Sequence, residues 1–352
     1  MLKLGLSLLL LTPVPAQPIP CPVQVVLVSD EADAVLAVLA KRAEGRPLED
    51  ADWSRIFQSE GYRRLVLREQ SMHRPLDEAR FKAFVLGEEL LARAAALRRT
   101  LAQWKGLDIG SAGRKALAYL PDGATIQARI YPVIKPASNS FVFEGNAIFL
   151  SLDPLKTPEV VENILVHELH HIGYGSAFPA APAKAALEAL PEGTRRAYDW
   201  IGAFGEGMAM LAAAGGPDVH PHAVSPTEDR ARWDQDMAQF DSDLRKVEAF
   251  LLAVAQGRLQ AEAAQAQGMS FFGIQGPWYT VGWRMAVTIE KAFGRPVLLD
   301  CMKDPWLLLP TFNHAVQARK ETRAGWSPEL LRVLGGSASS SAAPPPISRP
   351  RP

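Results

Sequence analysis

The segment most able to do chemistry is His-Glu-Leu-His-His at positions 167–171. On a helix, side chains four positions apart lie on the same face, so His167 and His171 can bind one metal ion together. Glu168 stands beside them, where a carboxylate can take a proton from a water molecule whose pKa the metal has lowered. The segment therefore predicts a zinc site for metal-assisted hydrolysis. The alternative is a helix whose histidines are solvated or hydrogen-bonded to neighbouring carbonyl groups.

A catalytic zinc ion usually takes three protein ligands and leaves one position for water. One subclass of zinc enzymes has its third histidine six residues beyond the motif, where this chain has Ala177. Glu206 is the stronger candidate because Gly205 and Gly207 flank it. Glycine inside a helix is costly, so this pair indicates a close approach of backbones. Other residues that could provide the third ligand are Glu188, Glu192, Asp199, His220 and His222.

The oxyanion of a tetrahedral intermediate needs a hydrogen-bond donor. We predict that Tyr279 has this role, because Gly282 lies one turn later on the same helix and permits close packing. A core tyrosine whose hydroxyl is already hydrogen-bonded is the alternative interpretation. Other candidate donors are Tyr174, His220, His222, Arg284 and His314.

Two further polar residues lie on the predicted zinc helix. His170 falls off the face that carries the two motif histidines, so we expect it to support the ligands or to contact solvent. Asn163, one turn before His167, could orient an imidazole ring.

The elements that must position these residues are mostly helical. Thr157 can cap a helix that has Pro158 at its first position, and this helix is predicted to run to about Gly173. Helical spacing also predicts helices across 30–106 and near 196–213, 226–265 and 278–293. Alternating apolar residues predict a strand at 125–134. The apolar runs at 141–143 and 147–150, broken at 144–146, predict one or two further strands, and 23–29 could be another short strand. The predicted fold class is α+β, mostly helical, with a small sheet directly before the helix that carries His167.

Residues 205–209, Gly-Glu-Gly-Met-Ala, together with the motif at 167–171, resemble the gluzincin metallopeptidases. The resemblance implies that Glu206 is the third zinc ligand and that the core is zincin-like. Thirty-four residues separate His171 from Glu206, more than in the aminopeptidase branch, and Met210 stands where the thermolysin-like branch has an aspartate. Over residues 50–320 the chain looks more similar to uncharacterised bacterial families of zinc-dependent peptidases. That similarity includes Ser-Glu-Gly-Tyr at 59–62 and Tyr-Thr-Val-Gly at 279–282.

The resemblance also implies a peptide or protein substrate. Zincins usually bind the substrate as an extra strand along an exposed sheet edge, and residues 141–152 could provide that edge. Asn146 and Ala147 resemble a substrate-contacting pair of thermolysin-like enzymes, although a hairpin turn at Gly145 and Asn146 explains them equally well. The alternative functions are a secreted binding module with a non-catalytic zinc site and a zinc hydrolase acting on a non-peptide amide or ester.

The N-terminus and the composition indicate the compartment. Lys3, the leucine-rich run at 4–11 and the small residue Ala16 predict a signal peptide and hence a secreted or periplasmic protein. A buried N-terminal strand or helix is the alternative. The 38 basic residues balance the 38 acidic ones, which argues against nucleic acid as a partner. No later segment reaches the roughly 20 apolar residues of a membrane span, so we expect no stable membrane insertion.

The predicted organisation follows from these segments. Residues 1–16 form the signal peptide, 23–120 an N-terminal helical region, and 121–334 a zincin-like metallopeptidase core with C-terminal helices. Residues 335–352 form a disordered tail, because serine, alanine and proline there cannot build a core. An oxidising compartment would permit a disulfide between Cys21 and Cys301, but the sequence does not show that they meet.

Overall fold

In this computed structural model the chain is described over residues 21–335, except 72, 75, 137–139, 144–145, 178–180 and 322–324, and only the backbone is described for 181–184. The predicted signal peptide lies outside the described residues. So do residues 336–352 of the predicted tail and Gly145 of the predicted hairpin turn. The described residues form an α+β fold that is mostly helical with a small mixed sheet, which confirms the predicted fold class.

The sheet has the strand order β1-β2-β4-β3. Its strands are β1 (Val23–Leu27), β2 (Ile126–Val133), β3 (Phe141–Phe143) and β4 (Ala147–Ser151). Strand β2 is parallel to β1 and β4, whereas β3 is antiparallel to β4 and forms one edge. The strands predicted near 125–150 are confirmed. The predicted strand at 23–29 is β1, which pairs in parallel with β2. Because parallel strands need a long connection between them, β2 comes from a distant part of the chain.

Helices α1–α6 fill the connection between β1 and β2. They are α1 (Asp30–Ala43), α2 (Asp50–Phe57), α3 (Glu60–Ser71), α4 (Glu78–Val85), α5 (Glu88–Lys105) and α6 (Ile109–Leu117). The segment 59–62, at the start of α3, connects helices α1 and α3 to the sheet. The Asp30 carboxylate accepts hydrogen bonds from the N–H groups of Glu60 at 2.6 Å and Gly61 at 3.2 Å. The Glu60 carboxylate in turn accepts one from the Tyr131 hydroxyl at 2.7 Å, so this segment has a structural role.

Helix α7 (Pro158–Ala177) follows β4 and carries the motif at 167–171. It packs against α6, β2 and α10. The helix continues four residues beyond Gly173, where it was predicted to end. A Cβ atom on Gly173 would lie 2.2 Å from Leu120 and 3.0 Å from Ile126. This glycine therefore permits close packing on the sheet and does not end the helix.

The C-terminal half is helical. The elements are α8 (Ala181–Glu188), α9 (Glu192–Ile201), a 3-10 turn (Gly202–Phe204), α10 (Gly205–Ala214), α11 (Thr227–Ala238), α12 (Phe240–Ala255), α13 (Ala261–Ser270), α14 (Pro277–Phe293), α15 (Arg295–Lys303), α16 (Pro305–Ala318) and α17 (Pro328–Gly335). The region predicted at 226–265 is divided into α11, α12 and the start of α13. Among the described residues, no helix combines the length and the apolarity that a membrane crossing requires.

Most of the buried side chains form one hydrophobic core that extends from α1 to α17. A smaller cluster lies on the opposite face of the sheet and includes Leu65, Tyr131 and Phe149. Cys301 is buried, Cys21 is exposed, and both are free thiols. The disulfide that an oxidising compartment would permit is therefore not formed in this structure.

Candidate metal centre

Three helices meet at the motif, and glycines determine how closely they approach. A Cβ atom on Gly207 would lie 1.8 Å from the backbone nitrogen of Trp283, and one on Gly282 would lie 2.5 Å from the carbonyl oxygen of Phe204. Helices α10 and α14 therefore touch through their backbones. A Cβ atom on Gly205 would lie 3.8 Å from the ring of Tyr174 on α7. The glycines beside Glu206 thus have different neighbours, one on the motif helix and one on α14.

The side chains of His167, His171 and Glu206 converge. The two Nε2 atoms lie 3.1 Å apart, and each lies 3.1 Å from Oε2 of Glu206. Two ligand atoms of a tetrahedral zinc ion, each at about 2.0–2.1 Å, would be about 3.3–3.4 Å apart. Two imidazoles and one carboxylate are also donors that zinc prefers. The residues therefore fit a zinc ion, and this is the one three-residue cluster of this kind that the described part of the chain contains.

The charges of these side chains suit a cation. Burial disfavours the ionised form of Glu206, but attraction to His171 and hydrogen bonds with both histidines lower the pKa of Glu206 below its usual value. Burial also opposes a charge on His171, yet the Glu206 carboxylate raises the pKa of this imidazole. Glu206 therefore stays ionised, and a bound cation would take the place of the proton that the raised pKa of His171 favours.

Glu168 and Tyr279 lie beside the cluster. The rings of Tyr279 and His167 are nearly parallel, 12° apart, with centroids 6.2 Å from each other. Burial raises the pKa of Tyr279, and a hydrogen bond with Glu206 and the charge of Glu168 add to the increase. The phenol therefore stays protonated and able to donate. Glu168 is partly exposed and acts electrostatically on both His171 and Tyr279.

His170 and Asn163 make their hydrogen bonds to backbone carbonyl groups, although the ring of His170 lies edge-on to that of His171, with centroids 6.4 Å apart. His170 is fully buried, and its Nε2 atom lies 3.2 Å from the carbonyl oxygen of Tyr119. Burial lowers the pKa of His170 to about 3, so the ring is neutral and not solvated. The Asn163 amide donates to the carbonyl oxygen of Ala213 at 3.0 Å. It ties α7 to α10, because its position one turn before the motif places it against the end of that helix.

The two histidines considered as rival ligands have other partners. His220 Nε2 lies 3.0 Å from Asp234 Oδ1, and His222 Nδ1 lies 3.0 Å from the Ser225 hydroxyl. The second ring nitrogen of His222 is 2.8 Å from the Gln275 amide nitrogen. Burial lowers the pKa of His222 to about 4, so this imidazole is neutral.

The remaining candidates from the sequence are also placed elsewhere. Glu188, Glu192 and Asp199 are exposed, and none of them belongs to the metal cluster. Arg284 is paired with Glu321 at 3.2 Å, and His314 is exposed. Tyr174 stacks on His170 with ring centroids 6.3 Å apart.

A groove of about 570 Å³ opens beside His171. Its lining comes from the end of α7, from β2 and β3, and from the residues just before β2 and β4: Thr125, Gln127, Val142, Asn146, Ile172, Gly175 and Ser176. Asn146 and the strand of Val142 were predicted to contact the substrate, whereas Thr125, Gln127 and Ser176 were given no role at the site. Both Thr125 and Gln127 are exposed and alternate with buried residues of β2, and this alternation is the signal that could have identified them.

A comparison with protein families finds one match. Residues 53–321 match the family model described as "Putative zinc dependent peptidase (DUF5700)". Neither the curated proteins nor the solved structures contain a match to this chain.

Proposed function

We propose that this chain, which belongs to the DUF5700 family of zinc-dependent peptidases, hydrolyses peptide bonds with Glu168 as general base. The observation that carries this proposal is the convergence of three ligand atoms within 3.1 Å of one another. Glu168 lies on α7, the helix that carries both histidines. His167, His171 and Glu206 would hold zinc. When bound there, zinc supplies Lewis acidity, which polarises a carbonyl group and lowers the pKa of water.

The chain's own residues would divide the remaining work. The Glu168 carboxylate accepts a proton from the attacking water and passes it to the amide nitrogen that leaves. The Tyr279 hydroxyl donates a hydrogen bond to the developing oxyanion, and burial keeps this hydroxyl protonated.

The groove beside His171 provides a place for an extended peptide. Val142 on the edge strand β3 lines it, and β3 is hydrogen-bonded to β4 on its inner side. A peptide added as a further strand would satisfy the outer side and run past the metal ligands. This geometry favours a peptide or protein substrate over a small ester.

The leader and the charge balance support two further proposals. A signal peptide at 1–16 would export the protein to the periplasm or the medium. We also propose that nucleic acid is not a partner, because basic and acidic residues are equal in number.

The direct test is Glu168→Gln, assayed for peptide hydrolysis and for bound zinc. We expect zinc content to be unchanged and kcat to fall by at least about 10²-fold, since a positioned base contributes about 10²–10⁴. Glu162→Gln is the matched control, because Glu162 lies on the same helix and pairs with Lys115 at the surface. Full activity of Glu168→Gln would refute the mechanism.

Two further outcomes would separate the alternatives. Zinc-loaded wild-type protein that cleaves an ester or acetylated amine but no peptide library would identify a non-peptide hydrolase. Zinc-loaded protein inactive on every substrate class would favour the binding module. The present contacts of His220 and His222 argue against that module, because their ring nitrogens already have partners.

A further inference from the structure

The turn that starts helix α14 has an unusual backbone. Gln275 has a φ of 65°, in the left-handed region that side chains other than glycine rarely adopt. The next residue, Gly276, has no room for a side chain, since a Cβ atom there would lie 2.5 Å from the carbonyl oxygen of Phe271. Such a conformation persists only where surrounding contacts impose it.

The Gln275 side chain makes one of the contacts that hold this turn. Its amide nitrogen lies 2.8 Å from Nε2 of His222, in the loop that follows α10. His222 is itself held in place: only 6% of it is exposed, Nδ1 lies 3.0 Å from Ser225, and its ring packs on Trp233 at 5.4 Å. The hydrogen bond therefore anchors a strained turn to a buried and fixed imidazole.

The anchored turn leads directly to Tyr279. The carbonyl oxygen of Gly276 accepts a hydrogen bond from the Tyr279 N–H at 2.9 Å, so the residue lies in the first turn of α14. One turn further on, the contact between Gly282 and Phe204 fixes α14 against α10. The first turn is thus held by this contact, by the buried Trp278, whose Nε1 donates to the carbonyl oxygen of Gly268 at 2.8 Å, and on its N-terminal side by Gln275.

We propose that the His222–Gln275 hydrogen bond sets the orientation of the Tyr279 hydroxyl at the metal centre. His222 and Gln275 are then positioning residues, and this role rests on the proposed function of Tyr279 as oxyanion donor. Without the bond, the strained turn can relax and change the direction of the phenol, while Trp278 and the Gly282 contact keep the helix itself in place. A misplacement of about 1 Å at a reacting group can cost on the order of 10²-fold in rate.

Gln275→Gly tests the bond without adding backbone strain, because glycine accepts the positive φ. We expect kcat for peptide hydrolysis to fall by about tenfold, with KM changed less than about twofold and zinc content unchanged. His222→Phe keeps a ring against Trp233 but removes the acceptor, and should give the same loss. The double variant should be no worse than either single one. Ile274→Ala is the matched control in the same turn, since 75% of Ile274 is exposed.

The decisive comparison uses a Tyr279→Phe background. If the bond acts through the Tyr279 hydroxyl, Gln275→Gly should lower kcat by less than about twofold once that hydroxyl is absent. An equal loss in both backgrounds, a loss of zinc, or an unchanged kcat would overturn the proposal. A fully active Tyr279→Phe enzyme would also overturn the positioning role. The proposed peptidase mechanism would still stand in that case if the Glu168→Gln variant is inactive.

Discussion

Two groups of histidines in this chain combine imidazole and carboxylate groups but differ in whether these side chains point to one place. In the first, the ring nitrogens of His167 and His171 and one oxygen of Glu206 lie 3.1 Å from one another. In the second, each nitrogen of His222 has a different partner, Ser225 or Gln275, and Nε2 of His220 faces Asp234. Both groups combine imidazole and carboxylate, yet only the first directs its lone pairs to one point.

The difference shows what distinguishes a metal site from a hydrogen-bond network. A metal ion needs several lone pairs that converge, and without the ion three such groups must share protons to avoid contacts between acceptors. A structural histidine needs one separate partner for each ring nitrogen. Counting histidines in the sequence cannot separate the two cases, but the directions of their side chains do.

The largest expected effect is the loss of one converging ligand. His167→Ala should reduce bound zinc from about one ion per chain to near zero and abolish hydrolysis, because two ligands seldom retain zinc. His220→Ala should keep the full zinc content. Elemental analysis of dialysed protein measures both. Zinc loss in the His220 variant alone would reverse the assignment of the two groups.

The next effect concerns the helix contact that brings Glu206 to the histidines. Gly207→Ala should lower the free energy of unfolding by about 3 kcal/mol or more, since a methyl group has no room against the Trp283 backbone. Zinc affinity should fall with it. Gly202→Ala is the matched control, because no atom lies within 4 Å of the position its Cβ would take. Urea unfolding of both variants checks the difference, and equal stabilities would contradict it.

A third prediction concerns Glu31, a buried carboxyl that has no converging partners, in contrast to Glu206. Burial raises the pKa of Glu31 from 4.5 to about 8, because one oxygen has only the Ile134 N–H and the other has no partner. Between these pH values the unfolded state ionises while the folded state stays protonated. The stability of the wild type should therefore fall with rising pH, by up to about 1.4 kcal/mol per unit, and level off above about pH 8.

Glu31→Gln keeps the acceptor for Ile134 and removes the titration. Relative to this variant, the wild type should lose stability from pH 5 to pH 8 in urea unfolding experiments at fixed ionic strength. A difference between the two proteins that is independent of pH would show that Glu31 is ionised in the folded state.

The smallest expected effect lies at the surface of the second histidine group. Asp234→Asn removes the charge beside His220 but keeps an oxygen acceptor, and 63% of the Asp234 side chain is exposed. The free energy of unfolding should change by less than about 1 kcal/mol, since exposed ion pairs contribute little. Zinc content and kcat should stay at wild-type values. A clear drop in zinc content would connect this group to the metal centre after all.

Much of the local structure could be predicted from the sequence. The strand at 126–133 follows from alternation, the strand at 147–151 from a short apolar run, and the start of α7 from Thr157 and Pro158. The end of α7 could not be predicted, because a glycine in the sequence is equally consistent with a helix end and with close packing inside a helix. The partner of β1 was also hidden, since about 100 residues separate it from β2 and periodicity carries no information on pairing.

The site was only partly accessible to the same reasoning. His167, Glu168 and His171 could be singled out because helical geometry relates residues four positions apart without any tertiary information. Glu206 required the glycines around it and a family resemblance. The strained turn at Gln275 and its contact with His222 gave no signal, because a left-handed backbone at a glutamine depends on contacts across 53 residues.

What the sequence by itself determined is the donor set: two imidazoles one helical turn apart, a carboxylate beside them and a second carboxylate between glycines. Local geometry suffices for the first three, because the helix repeat fixes where they point. Only the tertiary structure decided that Glu206, and not His220 or His222, completes the cluster. That choice depends on how α10 and α14 pack through Gly207 and Gly282, and packing of distant segments is set by the whole core.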